Sequence, residues 1–324
     1  MGNRLTANSR VTKVRLEPVA EGSAQDCVQD LEQNPVQISV DTRADSLAVE
    51  EPLQIRVDGE DFTTTMRTPG NDFELVHGLL HAEDVIHDRD DVVTMRYCAG
   101  AVNPGGQNTY NTIDVELRRS RPSDPAGIPL PLLNQPVFDQ AEFYHAVSNQ
   151  PTQGNSAHLP TRNVITTSAC GICGTTSIED LVKRRRYPIR PVRPEAEFVV
   201  SLPEKIRASQ RAFRRTGGIH AAGAVTADGD VLLVREDVGR HNAADKVIGA
   251  LLMEDRLPAE TLYLVMTSRA SFELVQKAVL AGFSGLVAVS AATSLAVDLA
   301  KETGLFLTGF TRDNRFNLYS GSLA

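Results

Sequence analysis

Cys170 and Cys173 lie in the stretch TTSACGICGTTS (166–177), which holds half of the chain's four cysteines. A pair at this spacing is open to four chemistries. A structural zinc site would need two more ligands. The remaining cysteines, Cys27 and Cys98, have no second cysteine or histidine beside them at ligand spacing. A Cys-x-x-Cys pair can close a redox disulfide, but no thioredoxin-like order of elements surrounds this one. Two buried apolar thiols would be plain packing. A sulfur carrier needs a thiol that is exposed, partly ionised and able to swing between donor and acceptor. Gly171 and Gly174 supply backbone freedom. A helix start just beyond, with Lys183 and Arg184 to Arg186, would draw a thiol pKa down. The thiolate is the form that attacks a persulfide sulfur. Residue chemistry favours sulfur handling and leaves the other three open.

The elements around the pair position it between two different kinds of sequence. Upstream, LQIRV (53–57) and FTTTMR (62–67) flank Asp58-Gly59, a strong hairpin signal. Asp72 can cap a helix with Phe73, Val76 and Leu80 on one face. Strands fit VVTMRY (92–97), TIDVELR (112–118) and NVITT (163–167), the last leading into the cysteine loop. Thr176-x-x-Glu179 reads as a capping box after it. Residues 121–160 carry seven prolines and no clear period, so 119–160 reads as an irregular insertion.

From Ser201 the pattern is regular. Ser201-x-x-Glu204 opens a helix to about Arg215, followed by the hairpin 220–226 and 231–235. Then come a helix at 241–253, a strand at 261–267, a helix at 271–281, a strand at 285–290, a helix at 294–303 and a strand at 305–310. Short apolar strands between helices imply a sheet with parallel strands and both faces buried. The fold class is α/β (α+β overall). A leader over 1–50 is acidic and partly disordered, a smaller α+β domain spans 51–198, and a three-layer domain spans 199–324.

Length and composition bound the function. The chain has 324 residues, enough for two cores, a net charge of −8 and no apolar run of membrane-spanning length. MGNRLTANSR carries no secretory signal and cysteines are few, so the expected compartment is the cytoplasm. Residues 17–60 hold eleven acidic and two basic groups, and 183–215 eleven basic and three acidic. One basic patch on an acidic chain with little aromatic interleaving argues against nucleic acid and fits a small phosphate-bearing ligand. No GxGxxG or Walker pattern points to NAD or ATP.

Six blocks in order carry a resemblance: TPGNDFELVHGLLHAEDVI (68–86), TTSACGICG (166–174), RTGGIHAAGA (215–224), REDVGRHNAADKVIG (235–249), TSRASFELVQKA (267–278) and TGFTRDNRFNLYS (308–320). Together the chain resembles the FdhD family, the formate dehydrogenase accessory sulfurtransferases, from about residue 50 to 320. The resemblance implies an enzyme acting through a cysteine persulfide. It would take sulfur from a cysteine desulfurase and pass it to the molybdenum (or tungsten) bis-pterin guanine dinucleotide cofactor destined for formate dehydrogenase. Cys170 would carry the persulfide, and Cys173 would assist or resolve it. Phe310, Thr311, Arg312, Asp313, Asn314 and Arg315 match the family's segment for that cofactor. Phe310 can stack on a flat ring, and Arg312 and Arg315 can fork onto pyrophosphate oxygens. The alternative is a non-catalytic chaperone that only escorts the cofactor. The resemblance also suggests a homodimer. The lack of a long apolar run argues against membrane contact, and the persulfide reaction needs no metal bound by the chain itself. The leader at 17–50 and the insertion at 119–160 exceed the family pattern.

The C-terminal half also resembles the cytidine-deaminase-like fold, to which the family is related. A zinc deaminase carries His-x-Glu and Pro-Cys-x-x-Cys. At the matching places this chain has Arg240-His241-Asn242-Ala243-Ala244-Asp245 and Thr267-Ser268-Arg269-Ala270-Ser271, so the zinc ligands are missing. The emptied pocket is expected to hold the ligand instead, through His220, Asp237, Arg240, His241, Asp245, Ser268 and Arg269. Lys246 is expected on the helix surface.

Overall fold

The computed structural model describes residues 5–18, 36–98, 109–118, 165–166 and 178–324. Cys27, the insertion at 119–160 and the loop with Cys170 and Cys173 lie outside the described residues. The expectations for them therefore stand on the sequence alone.

A five-stranded sheet has the order β5-β6-β3-β4-β7. Its strands are β3 (Glu51–Val57), β4 (Glu60–Arg67), β5 (Val92–Tyr97), β6 (Thr112–Leu117) and β7 (Ile165–Thr166). β3 and β4 close on Asp58 and Gly59, both with positive φ (50° and 88°), as a tight hairpin turn demands. Leu53, Ile55, Ile113 and Val115 alternate onto one face and meet Leu75, Val76 and Leu80 of helix α1 (Asp72–Ala82). Asn71, not Asp72, is the N-cap; Asp72 is buried and paired with Arg67 at 3.0 Å.

The second sheet runs β13-β12-β11-β10-β8-β9. It comprises the hairpin β8 (His220–Val225) and β9 (Val231–Asp237), then β10 (Tyr263–Met266), β11 (Gly285–Ala288), β12 (Phe306–Arg312) and β13 (Arg315–Ser320). β10, β11 and β12 are parallel, while β8 is antiparallel to β10. The sheet is thus mixed, and β13 is a strand the apolar pattern did not announce. The helices are α2 (Ile178–Arg184), α3 (Ala196–Arg207), α4 (Arg211–Thr216), α5 (Arg240–Met253), α6 (Phe272–Leu280) and α7 (Ser294–Thr303).

Alternation in the strands sorts this core into two layers. Leu264 and Met266 face α5, α6 and α7, while Tyr263 and Val265 face Val199, Leu202 and Ile206 of α3. Helix α3 starts five residues before Ser201 and stops at Arg207, because its apolar stripe begins at Val199 and Arg214 closes its last carbonyls. Leu181 and Ile189 belong to the same core, so the segment after the cysteine loop packs with the C-terminal half.

The two halves meet where α1 crosses α5. Gly78 and Gly249 face the partner backbone so closely that a Cβ at 249 would lie 1.8 Å from the Glu74 carbonyl oxygen. Leu252 of α5 completes the core under the five-stranded sheet. Most of the basic run is taken up locally: Arg185 donates to the Thr303 carbonyl, Arg186 pairs with Asp84, and Arg190 with Glu260.

The leader differs from expectation. Thr6–Pro18 (β1) and Val36–Ala48 (β2) form an antiparallel ribbon. Val14, Leu16, Ile38 and Val40 on it are exposed, so no burial pattern marks the strands. Their pairing is set by cross-strand neighbours such as Val14 with Val40.

At the far end of α1, His81 is buried and its Nδ1 has no hydrogen-bond partner among the described residues. Burial, reinforced by the charges of His87, Arg186 and Lys277, pushes its pKa down to about 4. The unfolded chain therefore binds this proton from about pH 6.5 while the native state refuses it, so stability falls as pH drops through that window. Glu83 and Asp245 nearby are raised, first by burial, and run the opposite way. Comparison with a variant isolates the histidine. Between pH 7 and pH 5, urea unfolding should show wild type losing about 2 kcal/mol more than His81→Leu.

Candidate functional site

Three strand ends and one strand start share the carboxyl edge of the six-stranded sheet. Ser268 follows β10, Ser290 follows β11, Phe310 lies in β12, and His220 opens β8. The Phe310 amide donates to the Ser290 carbonyl at 3.0 Å, and the Ser290 amide to the Ser268 carbonyl at 3.3 Å. The three positions thus stand in a row across adjacent strands. Helix α5 begins beside them, its first residues being Arg240 and His241.

The charges here are unusual for their lack of partners. Among the described residues, the side chains of Arg240, Arg269, Arg312 and Arg315 make no hydrogen bond or close ion pair, and the Arg240 Nε is buried without an acceptor. Burial and the neighbouring Arg269 hold the Arg240 pKa below its ordinary value, against the pull of Glu273. Burial, then Arg240, lowers His220, with Asp237 opposing, so its imidazole is mostly neutral at pH 7. Burial resists ionisation of Glu273. Hydrogen bonds from its own amide and Ser271, with His241 and Arg240, nonetheless keep its carboxyl below the usual range. His241 Nε2 lies 3.3 Å from the Ser271 hydroxyl and 3.9 Å from Glu273.

The structure therefore gathers His220, Arg240, His241, Ser268 and Arg269 at one end of the row, with Phe310 further along it. Phe310 is 39% exposed, with φ 53°. Arg312, Asp313, Asn314 and Arg315 form the exposed turn between β12 and β13. Thr311 points inward instead: it is fully buried, its hydroxyl 3.0 Å from that of Thr308. Ser268 is buried as well, its hydroxyl donating to the Arg269 carbonyl.

Asp237, expected among the ligand contacts, has no exposed surface and no free oxygen. Oδ1 accepts from the Gly239 amide (2.8 Å) and Asn242 Nδ2 (3.1 Å). Oδ2 accepts from the Thr68 amide (3.1 Å) and Lys246 Nζ (2.7 Å). Lys246 is correspondingly 1% exposed rather than on the surface, and donates also to the Thr68 carbonyl at 2.9 Å. Asp245 is likewise taken up inside, paired with Lys277 at 2.7 Å. Both carboxylates are drawn inside because a lysine from another element meets them there, Lys246 of α5 for Asp237 and Lys277 of α6 for Asp245.

Sequence reasoning passed over Ser271, Glu273 and Asn242. The first two form a helix start, Ser-x-Glu, that invites capping in any protein and so carries no signal of a site. Asn242 was visible only as part of a matching block. Its amide joins α5 to β4: Nδ2 donates to the Met66 carbonyl (2.7 Å), and Oδ1 accepts from the Thr65 hydroxyl (3.2 Å). No group of three or more His, Cys, Asp or Glu side chains is gathered for a metal among the described residues. No helix among them is long and apolar enough to cross a membrane.

These features define an α/β protein with a cationic cluster at the carboxyl ends of its parallel strands, the place where open α/β sheets hold ligands. A sequence model of the FdhD/NarQ family matches residues 48–323, and the chain belongs to that family. Relatives include the sulfur carrier protein FdhD of Corynebacterium efficiens, 53% identical over 88% of this chain and 93% of its own. The protein of the same name from Nocardia farcinica is 46% identical over 99% of this chain and 95% of its own. A crystal structure named for a formate dehydrogenase accessory protein of Desulfotalea psychrophila matches with a TM-score of 0.57. It covers 96% of this chain and 97% of that one and, at 16% identity, shows a shared fold.

Proposed function

We propose that this chain is a sulfur carrier serving formate dehydrogenase. Cys170 takes sulfur as a persulfide from a cysteine desulfurase and delivers it to a molybdenum bis-pterin guanine dinucleotide held by the cationic cluster. The relatives' name as sulfur carriers supports the first half of that reading. The arginines that lack partners among the described residues, with an exposed phenylalanine on the same strand row, support the second: a pyrophosphate matches guanidinium forks, and a flat heterocycle matches the Phe310 ring. The observation that carries the whole is a tether. β7 lies against β4, with Thr166 opposite Thr65, and Thr65 bonds to Asn242 in the first turn of α5, next to Arg240 and His241. Cys170 follows Thr166 by four residues, a chain span of at most about 14 Å. That short span from β7 supports delivery from Cys170 to a ligand held by Arg240 and His241.

The loading step balances without an added oxidant. The Cys170 thiolate attacks the terminal sulfur of the donor's persulfide. The donor's S–S bond breaks, its cysteine leaves as thiolate, and Cys170 holds the new S–S bond. In delivery the Cys173 thiolate attacks the Cys170 sulfur. The bond to the outer sulfur breaks, and a Cys170–Cys173 disulfide forms. The outer sulfur leaves as hydrosulfide to the cofactor, which is the substrate, and a thiol reductant then restores both cysteines. The cluster residues bind and orient the cofactor: Arg240, Arg269, Arg312 and Arg315 by charge, Phe310 by stacking. Cys173 assists or resolves the persulfide, and the work is done in the cytoplasm.

Intact-protein mass spectrometry after incubation with a cysteine desulfurase and cysteine tests the proposal. Wild type should gain one reducible sulfur atom, Cys173→Ala should retain a gain, and Cys170→Ala should show none. No added sulfur in wild type would sink the carrier reading and leave the cluster as that of a chaperone for the cofactor.

A further inference from the structure

We infer that Asn242 is a positioning residue: it fixes the β4–β7 edge, where the carrier loop departs, against the first turn of α5. The inference rests on the sulfur-carrier reading for its consequence, but the geometry stands by itself. Asn242 is 7% exposed and its amide makes three hydrogen bonds to two other elements. The Met66 carbonyl and the Asp237 carboxylate can only accept, which fixes the orientation of the amide, and the Thr65 hydroxyl donates to its oxygen. No other side chain of this size can accept from the Thr65 hydroxyl while donating to both the Met66 carbonyl and the Asp237 carboxylate. Aspartate would set a carboxylate against Asp237 and the Met66 carbonyl, and leucine would take one bond from each of the three partners.

The location gives this clamp its use. α5 is held at its far end by Leu252, in the core under the five-stranded sheet. At its near end the direct ties to that sheet and the turn after it come from Asn242 and Lys246, with Asp237 and Val238 just before the helix. Asn242 is the only one of these that reaches β4 itself, at Thr65 and Met66. Thr65 and its neighbour Thr64 are the residues that face β7. Arg240 and His241 precede Asn242 by two residues and one. A change in the Asn242 bonds therefore shifts the origin of the tether relative to the cluster without touching either cysteine or ligand. A displacement of 1 Å between reacting groups can cost on the order of 100-fold in rate.

The test compares Asn242→Leu, Thr65→Val and the double variant by two independent readouts. Amide hydrogen exchange should show protection falling about tenfold or more at Thr64 to Met66 and at Ile165 and Thr166, with β10 to β12 unchanged. In the same variants, persulfide loading of Cys170 should stay within about twofold of wild type, while formate dehydrogenase activity in cells falls about 10- to 100-fold. The double variant should be no worse than Asn242→Leu alone, since both remove one unit. Exchange that rises uniformly, or loading and delivery that fall together, would make Asn242 ordinary packing and overturn the inference. Unchanged exchange at β4 and β7 would overturn it too. If wild type takes up no sulfur, the carrier reading fails, and the exchange pattern alone still decides whether Asn242 positions the edge.

Discussion

Gly249→Ala should destabilise the protein by at least about 3 kcal/mol, the upper end of the usual cost of overpacking. The sign is informative, because alanine in a helix interior normally gains up to about 1 kcal/mol over glycine. Here the added Cβ would lie 1.8 Å from the Glu74 carbonyl oxygen and 2.7 Å from the Gly78 amide nitrogen. Both are backbone atoms of α1, so no rotamer change can make room. The helices would have to part, pulling Glu74 from its two-pronged bond to Arg235 and Leu252 from the core beneath the five-stranded sheet. Gly218→Ala is the control: its Cβ would meet nothing nearer than 3.9 Å, and urea unfolding should register less than about 0.5 kcal/mol. Equal midpoints for the two variants would mean that α1 and α5 do not pack in this way.

The contrast shows which parts of the fold could be read from sequence. The C-terminal half was legible almost element by element, because strands buried on both faces, such as Tyr263–Met266, leave short unbroken apolar runs, and one-sided helices, such as Phe272–Leu280, leave a 3.6-residue period. β1 and β2 left none. Ile38 and Val40 stay exposed, and their partners lie across a long gap in sequence, so the leader read as an acidic irregular stretch. The cluster was half legible. His220, Arg240, His241 and Arg269 sit at strand or helix ends, where position alone suggests ligand contact. Asp237 sits at such an end as well, but only its tertiary surroundings show that Thr68, Gly239, Asn242 and Lys246 already occupy it. Gly78 and Gly249 carried no signal of their own, because only the crossing of the two helices shows why they lack a side chain.

Lys246→Met should cost about 3–5 kcal/mol, the usual penalty for stranding one partner of a buried ion pair. Lys246 and Asp237 are 1% and 0% exposed in their side chains and lie 2.7 Å apart. Methionine fills nearly the same volume, so the loss measures charge and not a cavity. With the ammonium gone, Asp237 keeps its bonds from the Thr68 and Gly239 amides and from Asn242, but a full negative charge stays buried against neutral donors. The Thr68 carbonyl also loses its donor. Adding Asp237→Asn to Lys246→Met removes the stranded charge and keeps an oxygen for part of that set. The double variant should therefore recover about half or more of the loss in urea unfolding, about 1.5–2.5 kcal/mol, and the coupling is that recovery plus the cost of Asp237→Asn measured alone. Additive losses would show that the pair acts through packing alone. Because Thr68 opens the turn between β4 and α1 while Asp237 ends β9, the same coupling would show that a buried charge pair, not apolar area by itself, holds the two sheets in register.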